Sequence, residues 1–415
     1  MRYRDRSRRE PNMPRIIKLE LDEKNIKGRL IGVVILLAIA FTFIGIAVKG
    51  VFTSEPGWKV MECYADGVNY SEEFVLNYYL GADGRNATNE QRAINTVYGQ
   101  AMEDAYRIFT QELLEDGTHN IGYLNAHLNE EVTIEPALYR ALELLEEAGL
   151  RYAYLSPVYA QYQSVFLSQN DDEAAQLDPM KDPELQADVA QMAAMASDPA
   201  MISLELLGDD RVILQVSDEY QAFMEAQEIT EVLDLSWMTN AFVADFVADA
   251  LAEAGLTSGY IASYDGFTRN LGGVNEHFAV NIFARNGQTV EMPGAMTYSG
   301  AMSMVSLRDY PMGGVDRWHY HAYEDGSITS IYLDPADGLS RAGVANLLVY
   351  DREMSCAQLL AVAAPAMIGE NLDAASLADS HGEAIWTEDG KVFHTQADAP
   401  ITLDPAVGYT LEHVK

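Results

Sequence analysis

A run of nineteen uncharged, mostly apolar residues near the N-terminus constrains this chain more than any other feature. It extends from Leu30 to Val48 and reads LIGVVILLAIAFTFIGIAV. At about 1.5 Å per residue, a helix of this length spans roughly 28 Å, the thickness of a bilayer's hydrocarbon core. A cleavable signal has a shorter core, about 7–15 residues, followed by small residues. This run ends at Lys49-Gly50-Val51-Phe52. The sequence therefore predicts one uncleaved transmembrane helix over residues 30–48.

The charges on either side of this run predict its orientation. Residues 1–29 hold ten Arg and Lys against five Asp and Glu, and positive flanks stay in the cytoplasm. The rest of the 415-residue chain holds 17 basic and 58 acidic residues. We therefore expect a single-pass protein of the cell membrane, with a cytoplasmic tail and a large acidic domain outside the cytoplasm. An acidic surface repels phosphates, which excludes nucleic acid as a partner, and we interpret the acidity as a source of solubility.

The chain has only two cysteines, Cys63 and Cys356, and neither belongs to a CxxC pair or a Cys/His cluster. This usage excludes a disulfide scaffold and a structural zinc site. Two free thiols are expected, although spacing alone leaves a disulfide between them open. The sequence contains no P-loop, no dinucleotide-binding glycine fingerprint and no HExxH motif, so motifs support no class of enzyme independently.

Helix and strand patterns alternate after residue 70 without a repeat, which predicts a mixed α+β domain. A capping box at Thr88–Gln91, a proline at 136 with a glycine at 149, and an apolar stripe predict three helices. These helices cover about 88–114, 136–148 and 238–254, and strands are predicted over 212–216, 259–263, 278–283 and 346–350. The Met- and Ala-rich stretch 168–203 is predicted to be a helical insertion or lid, with a solvated spacer as the alternative.

Three stretches of this sequence, in order, resemble the FAD:protein FMN transferase family. The first comprises Ile108-Phe109-Thr110 and Gly122–Ala126, which is similar to the family's "S…LN" segment. The second, Asp234–Gly272, is similar without a gap to "DLGGIAKGYAADRAAELL…G…ALINLGGNIRALG". The third, Tyr332–Gly338 (YLDPADG), resembles "HHIIDPxTG". The resemblance covers about residues 70–395, which leaves 49–69 as a linker and 396–415 as a C-terminal tail.

The resemblance implies a two-lobed α+β fold and a magnesium-dependent activity on flavin. Members of this family cleave FAD between its phosphates and pass FMN to a threonine or serine hydroxyl of a partner protein, or release FMN and AMP. They are usually exported or membrane-attached, in agreement with the topology predicted above. FAD or FMN is thus the cofactor that the resemblance implies, and a protein is the partner, besides the membrane.

Several positions that carry the chemistry in the family differ here. The motif lysine corresponds to Asn240, and the paired glycines before it correspond to Ser236 and Trp237. The histidine before "DP" corresponds to Ile331, which has no group that can accept a proton. The two magnesium ligands correspond to Leu359 and Ala363, and a further acid to Leu155. Because alkyl side chains donate no lone pair to a hard cation, bound magnesium is not expected.

Other positions keep the residue type of the family motif. Asp245 matches the aspartate of "KGYAAD", and Asp334 matches that of "DP". With Asn125 and Gly266, these residues are the candidate flavin-binding positions. Each has a structural alternative: Asp245 can simply face water, Asp334 and Asn125 can stabilise turns, and Gly266 can answer a backbone requirement.

Two histidines suggest a separate metal hypothesis. His319 and His321 alternate on a predicted strand, which would place both imidazoles on one face. No third ligand is identifiable from the sequence, so an ordinary pair of surface histidines is the alternative.

The sequence supports three hypotheses about function. The first is a catalytically degenerate, membrane-anchored relative of the FMN transferases that binds flavin or a protein. The second is an active, divergent transferase with relocated ligands drawn from His319, His321, Asp245 and Asp334. The third is a structural component of a membrane or surface assembly, which would be indicated by a cleft filled with Trp237, Leu359 and neighbouring apolar groups.

Overall fold

The described part of the chain is built around a mixed, mainly antiparallel sheet that is covered by helices. The computed structural model describes residues 54–63, 65, 73–274, 276–313, 316 and 318–414. Ten α-helices are described: α1 (Ala87–Phe109), α2 (Ile121–Ala126), α3 (Pro136–Glu147), α4 (Ser156–Phe166), α5 (Asp171–Leu177), α6 (Pro183–Ser197), α7 (Asp218–Ala226), α8 (Thr239–Glu253), α9 (Cys356–Met367) and α10 (Ala374–Asp379).

The strands form four sheets within the described residues. The largest has nine strands in the order β1-β2-β6-β7-β10-β13-β14-β15-β17, and every neighbour is antiparallel except the β15–β17 pair. Smaller sheets are β16-β9-β8, β3-β5-β4 and β11-β12. The strands are β1 (Gly57–Met61), β2 (Phe74–Leu80), β3 (Glu131–Thr133), β4 (Ile202–Gly208), β5 (Arg211–Val216), β6 (Gly259–Ser263), β7 (Phe267–Asn270), β8 (His277–Asn286), β9 (Thr289–Ser299), β10 (Met302–Arg308), β11 (Tyr320–Ala322), β12 (Ile328–Ser330), β13 (Asn346–Asp351), β14 (Glu383–Glu388), β15 (Lys391–His394), β16 (Ile401–Leu403) and β17 (Thr410–His413).

The central strands are apolar on both faces because both faces of the large sheet are covered. Side chains alternate along a strand, so successive residues enter different cores. Val305 and Leu307 of β10 join the main core with α8 and α9, whereas Met302 and Met304 join a smaller core beneath β8 and β9. This two-sided burial explains the continuous apolar runs, and the mixed α+β prediction is confirmed.

Helix starts are fixed by local caps. The predicted capping box at Thr88–Gln91 is wrong by two positions, because Asn86 is the N-cap of α1 and its side chain accepts from the Asn89 N–H. Glu90 is instead buried and accepts from the Tyr78 hydroxyl and the Gly81 N–H. At α9, Ser355 and Gln358 form a reciprocal capping box.

The insertion predicted over 168–203 contains helices α5 and α6, and a buried carboxylate is among the contacts that join it to the rest of the domain. Asp178 is fully buried and accepts from the Tyr323 hydroxyl at 2.7 Å and the Thr329 hydroxyl at 2.6 Å. His321 reaches Asp171 of α5 at 3.1 Å. These contacts fasten the insertion to β11 and β12, so the spacer interpretation is wrong.

The domain extends further at both ends than the predicted 70–395. β1 pairs with β2, which places residues 57–61 in the sheet rather than in the predicted 49–69 linker. β16 and β17 pair with β9 and β15, so the predicted 396–415 tail contributes two strands. The described residues from Glu55 onward form one compact unit.

The predicted cytoplasmic tail (1–29) and transmembrane helix (30–48) lie outside the described residues. Among the residues that are described, none of the helices combines the length and apolar character needed to cross a bilayer. Both cysteines are free thiols, as predicted: Cys63 is partly buried and Cys356 fully buried.

Candidate functional site

The second motif stretch lines a small cleft of about 210 Å³, which we call the motif cleft. This stretch contributes the turn before α8, Ile331 lines the cleft from the position just before the third stretch, and helix α4 closes one side. The lining residues are Gln111, Ser156, Tyr159, Ala160, Gln163, Glu231, Asp234, Ser236, Trp237, Trp318, His319 and Ile331.

Trp237 fills much of the space beneath this cleft. It lies in a short 3-10 turn, Ser236–Met238, and only 4% of its surface is exposed. Its indole N–H donates to the Tyr159 hydroxyl at 3.1 Å, and its ring contacts Tyr332 edge-on with centroids 5.1 Å apart. Tyr152 packs on it from another side at 6.1 Å. An indole thus occupies volume that a glycine at this position would leave open.

Two carboxyl groups line the mouth of the cleft. Asp234 accepts from the Ser236 N–H at 2.7 Å, and the Gln111 amide, in its favoured orientation, donates to both Asp234 and Glu231. Burial raises the pKa of Asp234 to about 6, with a further contribution from the nearby Glu231 charge. Burial also raises the pKa of Glu231. The mouth therefore holds two acids that ionise less readily than exposed ones.

Asn240, at the position of the family's motif lysine, joins a second pair of carboxyl groups. Its amide nitrogen donates to Glu73 Oε2 at 2.8 Å and to Asp265 Oδ2 at 2.9 Å. Burial raises the pKa of Asp265 to about 6, and it raises the pKa of Glu73 as well. A neutral amide holds this pair, so Asn240 supplies no positive charge to a phosphate at the position of the motif lysine.

His319 lines the motif cleft beside Ile331, the residue that matches the family's base. Its backbone carbonyl accepts from the Ile331 N–H at 2.9 Å, which places the two residues side by side. Burial lowers the pKa of the His319 imidazole, against the opposing effect of Glu73. The imidazole is therefore neutral at physiological pH and able to accept a proton.

The structure does not assemble the predicted histidine metal pair. His319 lines the motif cleft, whereas His321 bonds to Asp171 in the insertion. Within the described parts of the chain, no three His, Cys, Asp or Glu side chains converge in a way that could hold a metal ion. The relocated ligand set of His319, His321, Asp245 and Asp334 is likewise not brought together.

Two candidate flavin positions make backbone contacts and do not line the motif cleft. Asn125 is buried, accepts from the Val232 and Leu233 N–H groups and donates to the Leu233 carbonyl. Gly266 has φ of 117°, and an added Cβ would lie 2.1 Å from the Ser306 carbonyl oxygen. Both residues therefore meet backbone requirements in the structure.

The two candidate aspartates form ion pairs. Asp245 bonds to Arg269 at 2.6 Å and accepts from the Cys356 and Ala357 N–H groups at the start of α9. Asp334 accepts from the Ala336 N–H within its turn and from Arg341 at 3.0 Å. The structure does not gather the four candidate residues around one cavity. The sequence did not point to Glu73, Glu231 or Asp265 as residues of the site. The one local signal is that Asp265 precedes Gly266, whose backbone conformation favours glycine.

Solved structures similar to this domain are flavin transferases. The ApbE protein from Thermotoga maritima aligns with a TM-score of 0.55 at 11% identity, over 84% of this chain and 97% of that one. The flavin transferase ApbE from Vibrio cholerae aligns with a TM-score of 0.51 at 12% identity, over 85% of this chain and 99% of that one. This domain has the flavin-transferase fold. No protein-family model matches the chain, and no curated protein matches its sequence.

The residues that this flavin-transferase fold places at the cleft do not fit FAD with magnesium. Leu359 and Ala363, at the positions of the metal ligands, are both fully buried in the main core and carry no oxygen. The motif cleft, at about 210 Å³, is smaller than the ~300–1,000 Å³ typical of ligand pockets, largely because Trp237 is packed beneath it. The side chains at the two matched ligand positions thus supply no oxygen donor, and the motif cleft is small for a ligand of this size.

Proposed function

We propose that this protein is a non-catalytic relative of the flavin transferases, anchored in the membrane by residues 30–48, whose domain outside the cytoplasm binds a protein partner. The observation that carries the proposal is the buried Trp237, which occupies the position of a motif glycine and is held by Tyr159, Tyr152 and Tyr332. Flavin binding and protein binding are both compatible with lost catalysis. The reduced cleft favours protein binding.

The absence of charge complementarity supports the loss of transfer chemistry. Transfer of a phosphoryl group needs cations around the phosphates and a group that activates the attacking hydroxyl. In the described part of the chain, the motif cleft and the Asn240 cluster supply four carboxyl groups, Glu231, Asp234, Glu73 and Asp265, which would repel a diphosphate. The basic tail and the apolar run support the proposed anchoring and orientation.

A direct test is to incubate the full-length chain with FAD, Mg²⁺ and a flavin-acceptor domain and to measure the mass of the acceptor. We expect no gain of one FMN, whereas the Vibrio cholerae flavin transferase should modify the same acceptor in parallel. A magnesium-dependent gain of one FMN would overturn the proposal. Titration of FAD and FMN, followed by flavin fluorescence, separates flavin binding from protein binding as the remaining role.

His319 favours one second candidate, a divergent transferase. Its neutral imidazole lies in the cleft beside Ile331, where a base would act. The same assay decides between the two candidates: an active wild type whose turnover disappears in His319→Gln would identify this histidine as the base.

A further inference from the structure

A larger groove of about 530 Å³ lies between helices α3 and α8, and it shares no lining residue with the motif cleft. We call it the α3–α8 groove. Phe109 and Phe242 form its base, with ring centroids 6.0 Å apart, and Phe246 stands against Phe109 at 6.5 Å. Phe246 and Leu144 are only partly buried, so the base of the groove presents apolar surface to solvent.

Both walls of this groove carry carboxylates in rows. Glu143 and Glu147 lie one turn apart on α3, and Asp249 and Glu253 lie one turn apart on α8. Like charges at this spacing destabilise a helix. Glu147 and Glu253 are also the last residues of their helices, where the helix dipole disfavours an anion, and neither last turn contains a basic residue.

The rows are only partly neutralised within the protein. Arg269 pairs with Asp245 at 2.6 Å and approaches Asp249 at 3.6 Å, and Arg140 is the one cation that lines the groove in the described part of the chain. No described residue forms an ion pair with Glu143, Glu147 or Glu253. The groove thus has an apolar base and an acidic rim whose negative charge is only partly neutralised. Repulsion between these carboxylates lowers the stability of α3 and α8.

We infer that the α3–α8 groove binds an amphipathic helix of a partner protein, with apolar residues on one face and Lys or Arg on both flanks. Helices line the two walls, and a third helix laid between them can place residues at i, i+3, i+4 and i+7 on the phenylalanines. Long cationic side chains can lie along the apolar base while their charged ends reach the carboxylates of the rim. This inference rests on the proposed protein-binding function and names its surface and class of partner.

The test uses a fluorescein-labelled 15-residue peptide of leucine and lysine with leucines on one helical face. Its binding to the full-length chain in maltoside detergent is measured by fluorescence anisotropy, with empty micelles as the blank. We expect saturable binding that weakens as salt is added. Neutralising the rim with Glu143→Gln, Glu147→Gln, Asp249→Asn and Glu253→Gln should weaken binding by about tenfold or more. This variant removes repulsion within α3 and α8, so it should fold at least as well as the wild type.

A matched variant controls for the overall acidity of the domain. Glu184→Gln, Asp188→Asn, Glu219→Gln and Glu225→Gln remove the same charge from exposed positions on α6 and α7. It should bind the peptide within about twofold of the wild type, because charges beyond a Debye length are screened. Equal weakening by both variants, or equal binding of a peptide with glutamate in place of lysine, would overturn the inference.

Two further outcomes separate this inference from its alternatives. A concentration-dependent dimer in sedimentation, lost in the rim variant, would show that a second copy of the chain occupies the groove, and the inference would be wrong. The FMN-transfer assay scores the proposed function independently. Peptide binding by a chain that also transfers FMN would refute the loss of catalysis and leave the groove assignment intact.

Discussion

Trp237 shows how one large side chain can reduce the volume of a cleft while it packs into the surrounding fold. An aromatic side chain of this kind buries about 150–250 Å², which corresponds to roughly 4–6 kcal/mol at about 25 cal/mol per Å². The indole N–H is also satisfied, by Tyr159. A conformation that moved this ring out of the way would forfeit most of that free energy. The cleft is therefore narrowed by packing that also stabilises the domain.

The raised pKa of Asp234 predicts a specific pH dependence of stability. Its pKa is about 6 in the fold against an ordinary value of 3.8, so the fold favours the protonated form. That contribution is complete below about pH 4 and is lost as the pH rises through about 6. Asp234→Asn mimics the protonated carboxyl at every pH. We expect it to raise the free energy of unfolding by about 1–2 kcal/mol at pH 8 and to leave it nearly unchanged at pH 4.

Urea denaturation of the two proteins at pH 4 and pH 8 measures this difference. Asp188→Asn, an exposed substitution on α6, should change the free energy of unfolding at neither pH. An Asp234→Asn effect of the same size at both pH values would show that the carboxyl does not titrate as its burial implies.

Single residues that differ from the family motifs could be identified from the sequence, whereas contacts between distant residues could not. Ile331, Leu359 and Ala363 were identified by matching positions along one chain, and all three are buried in the structure. Glu73 and Asp265 could not be paired in this way. Glu73 precedes β2 and Asp265 follows β6, so only the pairing of those strands brings them together at Asn240.

At the scale of elements, local sequence patterns gave the correct type for each helix and strand whose bounds were predicted. The structure confirms the helices predicted near residues 88, 136 and 238 and the four predicted strands, most of them within two or three residues at each end. Helix α1 is shorter than predicted, because it ends at Phe109 rather than near Leu114. The order of the strands in the large sheet was not predictable, since it depends on pairings between distant segments such as β10 with β7 and β13.

Asp245 links three elements, and its removal should cost far more than that of its neighbour on α8. The carboxylate bonds to Arg269 on β7 and to two N–H groups at the start of α9. Asp245→Ala leaves two amide donors without an acceptor and leaves the partly buried Arg269 with only the exposed Asp249 at 3.6 Å, which we expect to lower the free energy of unfolding by about 3–4 kcal/mol. Urea denaturation at pH 7 measures this loss.

Asp249→Ala is the matched control, one turn further along the same helix face. The Asp249 side chain is 69% exposed and lies 3.6 Å from the same arginine, so its loss should cost less than about 0.5 kcal/mol. Equal losses in the two variants would mean that Asp245 does not act as the cap and ion-pair partner that the structure shows.

At the scale of the whole molecule, the resemblance to a family located the centre of the domain but not its ends. The matched motifs stop near residue 395, and the strands beyond them carry little pattern of their own: all four residues of β17 are exposed. Such a strand is specified by its partner β15 rather than by its own apolar residues. The same reason explains why β1, with two exposed residues among five, was read as part of a linker.

The sequence leaves open whether the insertion moves as a lid, independently of the rest of the domain. Asp178 accepts the hydroxyl hydrogens of Tyr323 and Thr329, and all three groups are buried. Asp178→Ala leaves both hydroxyls without this acceptor, which we expect to lower the free energy of unfolding of the whole domain by about 2–4 kcal/mol. Because the contacts join the insertion to β11 and β12, unfolding should remain a single transition with a lower urea midpoint.

Hydrogen exchange distinguishes a fastened insertion from a lid. In a fastened insertion, Asp178→Ala speeds exchange in α5 and α6 and in the core strands together, because opening one requires opening the other. Asp172→Ala, at an exposed position on α5, is the control and should change the free energy of unfolding by less than about 0.5 kcal/mol. Faster exchange confined to residues 171–197, with an unchanged urea midpoint for the rest of the domain, would instead identify the insertion as an independently moving lid.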